Sequence, residues 1–119
     1  MIKVDNSKIS IIIPTYNEEK HIVECLESIM NQDYNNYEVI VVDGMSTDNT
    51  KNIVEKYNVI LLDNPKKIMP CGANIGIKHS NGEYIALLGG HSSISKNFLS
   101  KNLEIFKKVK KNFPELVCV

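Results

Sequence analysis

Ile9-Ser10-Ile11-Ile12-Ile13-Pro14-Thr15-Tyr16-Asn17-Glu18 is an almost unbroken β-branched run that stops at a proline and then turns polar. Such a run suits a strand covered on both faces, as strands are in a parallel sheet. A helix is predicted next, over 18–32, because Ile22, Leu26, Ile29 and Met30 recur at helical spacing. Asn31-Gln32-Asp33 closes it with turn formers. A second strand is read over 37–43. Ser46 and Thr47 are N-cap candidates for a helix reaching residue 57, with Asp48 in its first turn, where a carboxylate complements the helix dipole.

The alternation continues outward. Strands are expected at 59–62 and 84–88, a short helix at 73–79, and a long helix from about residue 96 to 112 carrying Leu99, Leu103, Phe106 and Val109. Pro114 ends that helix, and Leu116-Val117-Cys118-Val119 reads as the opening of a fifth strand. Strand and helix alternating with short connections give an α/β class with a mostly parallel sheet flanked by helices. A chain of 119 residues supports one core. A strand that opens on the last four residues leads us to expect one incomplete domain over 1–119.

Fourteen basic and fourteen acidic residues cancel, which argues against a broad electrostatic footprint for nucleic acid. Lys107, Lys108, Lys110 and Lys111 stand together in the last helix and are read as a solvated face. Cys25, Cys71 and Cys118 are odd in number and widely spaced, which fits free thiols in a reducing cytosol. No apolar run approaches the ~20 residues of a membrane span. A cytoplasmic location is expected, at the inner face of a membrane through partners.

In open parallel sheets, ligands sit beyond the carboxyl ends of the strands. Asn17 and Glu18 follow the first strand, Asp43, Ser46 and Asp48 the second, and Gly89-Gly90-His91-Ser92 the fourth. Pro14-Thr15-Tyr16 offers a hydroxyl and a ring on which a flat base could stack. Asp43 ends a buried strand and is suited to accept a ring N–H, although an aspartate before glycine also simply starts a turn. Helix capping alone accounts equally for Ser46 and Thr47.

These stretches carry a resemblance. Ile11-Ile12-Ile13-Pro14-Thr15-Tyr16-Asn17-Glu18-Glu19 resembles the opening strand and loop of family 2 glycosyltransferases, which have the GT-A, Rossmann-like fold. Val41-Val42-Asp43-Gly44-Met45-Ser46-Thr47-Asp48-Asn49-Thr50 is similar to the second family block, V-D-D-G-S-T-D-x-T. Cys71-Gly72-Ala73-Asn74-Ile75-Gly76-Ile77 is similar to A-R-N-x-G, and Asn81-Gly82-Glu83-Tyr84-Ile85-Ala86-Leu87-Leu88 to the G-E-Y-I strand. The four blocks run in family order over residues 9–99. The resemblance implies that Thr15, Tyr16, Glu18 and Asp43 hold the base and ribose of a nucleotide-diphosphate sugar. It places Asn74 and Gly76 near that donor, glycine permitting close backbone approach.

The family ends its fourth strand in Asp-x-Asp, which ties a divalent cation to the donor diphosphate and helps the leaving group depart. Gly89-Gly90-His91 stands there instead, closest to an exopolysaccharide-type subset that reads Asp-Gly-His. Gly90, His91 and Ser92 fit that subset, and Gly89 does not. Imidazole suits manganese better than magnesium, so His91 implies a weak Mn2+ site or none; it also reads as an exposed loop histidine. The family's catalytic carboxylate lies beyond the matched blocks, so no catalytic base is assigned.

The resemblance implies an inverting glycosyltransferase of polysaccharide or cell-envelope synthesis, present as its donor-binding N-terminal part, with a saccharide or lipid-linked acceptor. The alternative is a catalytically inactive nucleotide-binding or partner-binding module, self-associating or completed by a partner that supplies the missing half. A nucleotidyltransferase would place a glycine-rich, basic loop after the first strand, and residues 14–19 are neither.

Overall fold

The computed structural model describes residues 6–112, with side chains described to residue 109. In chain order the elements are β1 (Ile9–Thr15), α1 (Ile22–Met30), β2 (Tyr37–Asp43), α2 (Thr50–Val54), β3 (Ile60–Asp63), α3 (Met69–His79), β4 (Tyr84–Leu87) and α4 (Phe98–Asn112). The strands form one sheet in the order β3-β2-β1-β4, and every pairing is parallel. The predicted fifth strand and Cys118 lie outside the described residues.

β1 is central, and its alternation builds both halves of the core. Ile9, Ile11 and Ile13 face a cluster with Ile22, Leu26 and Ile29 of α1, Val54 of α2, and Leu99 and Leu103 of α4. Ile12 faces the other way, with Ile40 and Val42, under Ile75 of α3. Helices therefore cover both faces, which explains the unbroken apolar run.

The proline does not end β1 as the sequence implied. Pro14 and Thr15 remain paired with Val42 and Asp43 of β2. The Ile12 carbonyl accepts from the Leu88 N–H, so alternate residues from Ile12 onward direct their backbone toward β4. Pro14 directs its missing donor to the same side, where β4 has already stopped opposite Ile12. No ladder bond is lost.

Two glycines let elements touch. A Cβ on Gly76 would lie 2.4 Å from Ile12 Cγ2, so α3 rests directly on β1. A Cβ on Gly82 would lie 2.6 Å from the Ser10 amide nitrogen. There the Gly82 N–H donates to Ser10 Oγ at 2.8 Å, and the same hydroxyl donates to Glu38. Glu38 also accepts from the Asn81 N–H at 2.7 Å and lies 3.6 Å from Lys8 Nζ.

The far end of α1 anchors the start of α4. Gln32 is buried; its Nε2 donates to the Ser95 and Ser28 carbonyls, and its Oε1 accepts from the Leu99 N–H at 3.0 Å. α4 begins at Phe98, two residues after the predicted start. Lys107, read as part of a solvated face, packs instead with its Nζ 5.5 Å from the centre of the Tyr84 ring. No helix among the described residues is long and apolar enough to cross a membrane.

Gly76→Ala is expected to destabilise the chain by about 1–3 kcal/mol, the usual penalty for overpacking, seen as a lower urea midpoint at unchanged slope. Burial alone would raise the Glu38 carboxyl, but hydrogen bonds from Ser10 and Asn81 and the Lys8 ammonium outweigh it and hold its pKa below the ordinary 4.5. A carboxyl lowered on folding contributes stability above its unfolded pKa, and that stability is lost as pH falls through the folded value. Glu38→Gln is therefore expected to flatten the acid limb of the stability-pH curve measured by urea unfolding.

Candidate functional site

The carboxyl ends of β1 and β2 are fastened together by their own polar groups. The Gly44 N–H donates to the Thr15 carbonyl at 2.8 Å, continuing the pairing past the strands. Beyond it, the Asn17 N–H donates to Ser46 Oγ, the Glu18 N–H to Thr50 Oγ1, both at 2.9 Å, and the Glu19 N–H to Asp48 Oδ2 at 3.3 Å. In the opposite direction the Thr47 and Asp48 amides donate to Asn17 Oδ1 at 2.8 and 3.3 Å, while Asn17 Nδ2 donates to Thr47 Oγ1. Asn17 has a φ of 49°, a left-handed conformation that asparagine tolerates better than most residues.

These bonds give the second loop a structural task. Asp43 is fully buried, and its carboxylate accepts from the Ser46 N–H at 2.8 Å and from the Ser46 hydroxyl. Asp48 accepts from the Thr50 N–H at 2.9 Å and from the Thr50 hydroxyl. Desolvation opposes ionisation of Asp48, but the bonds from Thr50 and Glu19 outweigh it and lower its pKa. The expected helix from Ser46 or Thr47 to residue 57 shrinks to Thr50–Val54, because both hydroxyls are engaged away from the helix end. Asp48 stands just before α2 rather than in its first turn.

Between this rim and the neighbouring loops lies an open cleft. β1 and its loop contribute Pro14, Thr15, Tyr16 and Glu18, and β2 contributes Val42 and Gly44, the neighbours of Asp43. Asn64, Lys67 and Met69 enter from the segment after β3, and Gly90 and His91 from the loop after β4. Tyr16 is half exposed, a ring available for stacking. Thr15 Oγ1 and Asn64 Oδ1 are buried without any hydrogen-bond partner. Orphaned polar atoms of this kind are uncommon and call for a ligand or an ordered water.

Of the residues singled out in the sequence, Pro14, Thr15, Tyr16, Glu18 and His91 meet at the cleft. Asn17, Ser46 and Asp48 shape its rim through the bonds above. Asn74 is exposed on α3 and is not among the cleft's lining residues, and the close approach that Gly76 permits is to Ile12. Asn64 was missed. The rule that selects strand ends applies equally to β3, and Asp63-Asn64-Pro65-Lys66-Lys67 is the polar stretch that follows it.

The loop after β4 crowds the β1 loop. A Cβ on Gly90 would lie 2.3 Å from Thr15 Oγ1 and 3.1 Å from Glu18 Cγ. Glu18 sits between two imidazoles, with Oε2 3.2 Å from His21 Nδ1 and Oε1 3.8 Å from His91 Nδ1. Among the described residues no group of three or more His, Cys, Asp or Glu could hold a metal ion. The side chain of His91 is largely exposed, and with Glu18 it offers two donors. Two protein donors make no closed site by themselves; the remaining positions around a divalent cation would have to come from a donor diphosphate and water. Behind this loop Cys25 is buried, and burial first, then the Glu18 charge, pushes its thiol up to about 11. Cys25 is thus an inert thiol rather than a nucleophile.

Asn17→Ala removes the acceptor shared by the Thr47 and Asp48 amides. Hydrogen exchange at those two amides is expected to quicken, with a global loss of about 0.5–1.5 kcal/mol because the freed amides can bond water.

A family model described as glycosyl transferase family 2 matches residues 10–114. The dolichyl N-acetyl-alpha-D-glucosaminyl phosphate 3-beta-D-2,3-diacetamido-2,3-dideoxy-beta-D-glucuronosyltransferase of Methanococcus voltae is 40% identical over 93% of this chain and 37% of its own length. Among solved structures, S. aureus TarS 1-349 in complex with UDP-GlcNAc aligns at a TM-score of 0.75 and 33% identity, covering 85% of this chain and 31% of that one. Mannosyltransferase PcManGT from Pyrobaculum calidifontis, in complex with GDP-Man and Mn2+, aligns at 0.79 and 26% identity, covering 84% and 32%. The chain thus spans between 31% and 37% of the length of these three proteins. With its parallel sheet, its helices on both faces and its matched blocks, the chain belongs to the family 2 glycosyltransferases and has the corresponding part of their GT-A fold.

Proposed function

We propose that this chain is the donor-binding part of a glycosyltransferase that takes its sugar from a nucleoside diphosphate. One observation carries the reading: Thr15 and Asn64, each with a buried oxygen that lacks a partner, line the same strand-end cleft as the half-exposed Tyr16 ring. A planar base could stack on that ring and direct a polar group to one of the two residues. Asp43 is fully buried and is not among the cleft's lining residues, and its carboxylate, bonded to Ser46 through both oxygens, supports the rim behind the base. The bound UDP-GlcNAc of the TarS structure favours a uridine diphosphate donor.

The transfer itself belongs to the whole protein. We infer inversion by direct displacement onto a saccharide or lipid-linked acceptor, the latter favoured by the name of the Methanococcus voltae relative. Polysaccharide or envelope glycan synthesis at the cytoplasmic membrane face is the setting that such an acceptor implies. A cation at this site would rest on His91 and Glu18, and the imidazole would favour Mn2+ over Mg2+. A nucleotide-binding module without turnover is the second reading, favoured by Gly89 and His91 at the two carboxylate positions of the family motif.

Calorimetric titration with UDP and with GDP tests the donor reading. UDP is expected to bind, and Thr15→Val to weaken it about fivefold to tenfold, the effect of one lost neutral hydrogen bond. Absence of binding by either nucleotide would overturn the proposal.

A further inference from the structure

We propose that Lys67 meets the diphosphate of the donor, so that this cleft neutralises phosphate charge with an ammonium group rather than a divalent cation. The inference rests on the nucleotide reading above and adds a residue to it.

The first ground is electrostatic. A nucleoside diphosphate brings two or more negative charges into a cleft whose lining already includes Glu18. After β4 the two carboxylate positions of the family motif hold Gly89 and His91, and His91 with Glu18 supplies only two protein donors. Among the described lining residues Lys67 carries the permanent positive charge; His91 carries one only when protonated.

The second ground is that Lys67 is uncommitted. Lys8 lies 3.6 Å from Glu38, and Lys51 donates to Asp63 at 2.8 Å. Lys67 has neither an ion pair nor a side-chain hydrogen bond among the described residues, and it is exposed beside the cleft.

The third ground is that its backbone is fixed while its stem is free. The Lys67 N–H donates to the Asn64 carbonyl at 3.1 Å, and a Cβ on Gly44 would lie 3.3 Å from the Lys67 carbonyl oxygen. Lys67 has a φ of 66°, a left-handed conformation where backbone preference alone would select glycine. A four-carbon stem with a compact charge therefore leaves the chain beside Asn64, whose Oδ1 is one of the two orphaned atoms. Base and phosphate contacts would then come from one turn after β3.

The left-handed φ supplies a clean variant, since Lys67→Gly relaxes the backbone while deleting the charge. The chain would be titrated with uridine and UDP, and with guanosine and GDP in parallel, in the presence of EDTA. UDP is expected to bind more tightly than uridine without metal. Lys67→Gly should lose about tenfold in UDP affinity, the size of one charge-assisted hydrogen bond, with uridine affinity unchanged. Lys67→Arg should retain UDP, and Lys66→Ala should match the unmodified chain. The assignment fails if Lys67→Gly binds UDP as well as the unmodified chain does. It fails equally if uridine and UDP weaken in parallel, or if the unmodified chain needs Mn2+ to bind UDP. If the unmodified chain binds no nucleoside or nucleotide, the donor reading itself falls, and this assignment with it.

Discussion

The clasp between the loops that follow β1 and β2 is the constraint on which the site depends. Each loop leaves backbone N–H groups beyond the last ladder bond, and the facing loop supplies acceptors for them in place of water. Ser46, Thr50 and Asp48 supply them to residues 17–19, and Asn17 and Glu19 supply them in return. Because the exchange is reciprocal, neither loop holds its shape without the other. Tyr16 and Thr15 are thereby presented to the cleft from a rigid rim, and rigidity before binding lowers the entropy that binding must overcome.

Charge at the rim is arranged around Glu18. Its carboxylate stands between His21 and His91 and is one of the cleft's lining groups. The cleft is divided by element. β1 and its loop carry the aromatic and hydroxyl groups and the Glu18 carboxylate, β2 the scaffold, and the two outer loops Lys67 and His91.

Much of the fold was legible because it is written in local periodicity. The β2 strand was placed at its observed limits from Val39-Ile40-Val41-Val42 and the turn residues after it. The α2 helix was overextended because Ser46 and Thr47 have cap chemistry, yet their partners lie about thirty residues away and leave no local trace. Pro14 reads as a stop because sequence alone does not reveal that β4 ends two residues earlier in the register. At the site, Tyr16 and Thr15 were recognisable from chemistry at a strand end. Asn64 was not, since an asparagine before proline has an ordinary explanation as a turn former, and its orphaned oxygen exists only in three dimensions. Gly76 shows a different case. Its lack of a side chain was singled out for close approach, and the approach the structure displays is that of Ile12.

The segment that joins β4 to α4 is pinned independently at its two ends. Leu88 is tied to Ile12 of β1, and Ser95 and Leu99 are tied to Gln32 at the end of α1. The span between them is held as well: Ile94 packs against the core and donates its N–H to Ser28 Oγ at 3.1 Å, and Gly90 lies against Thr15. None of these anchors uses the side chain of residue 89 or 91, whereas residue 90 must stay without one, so the loop's shape and its chemistry are set by different positions.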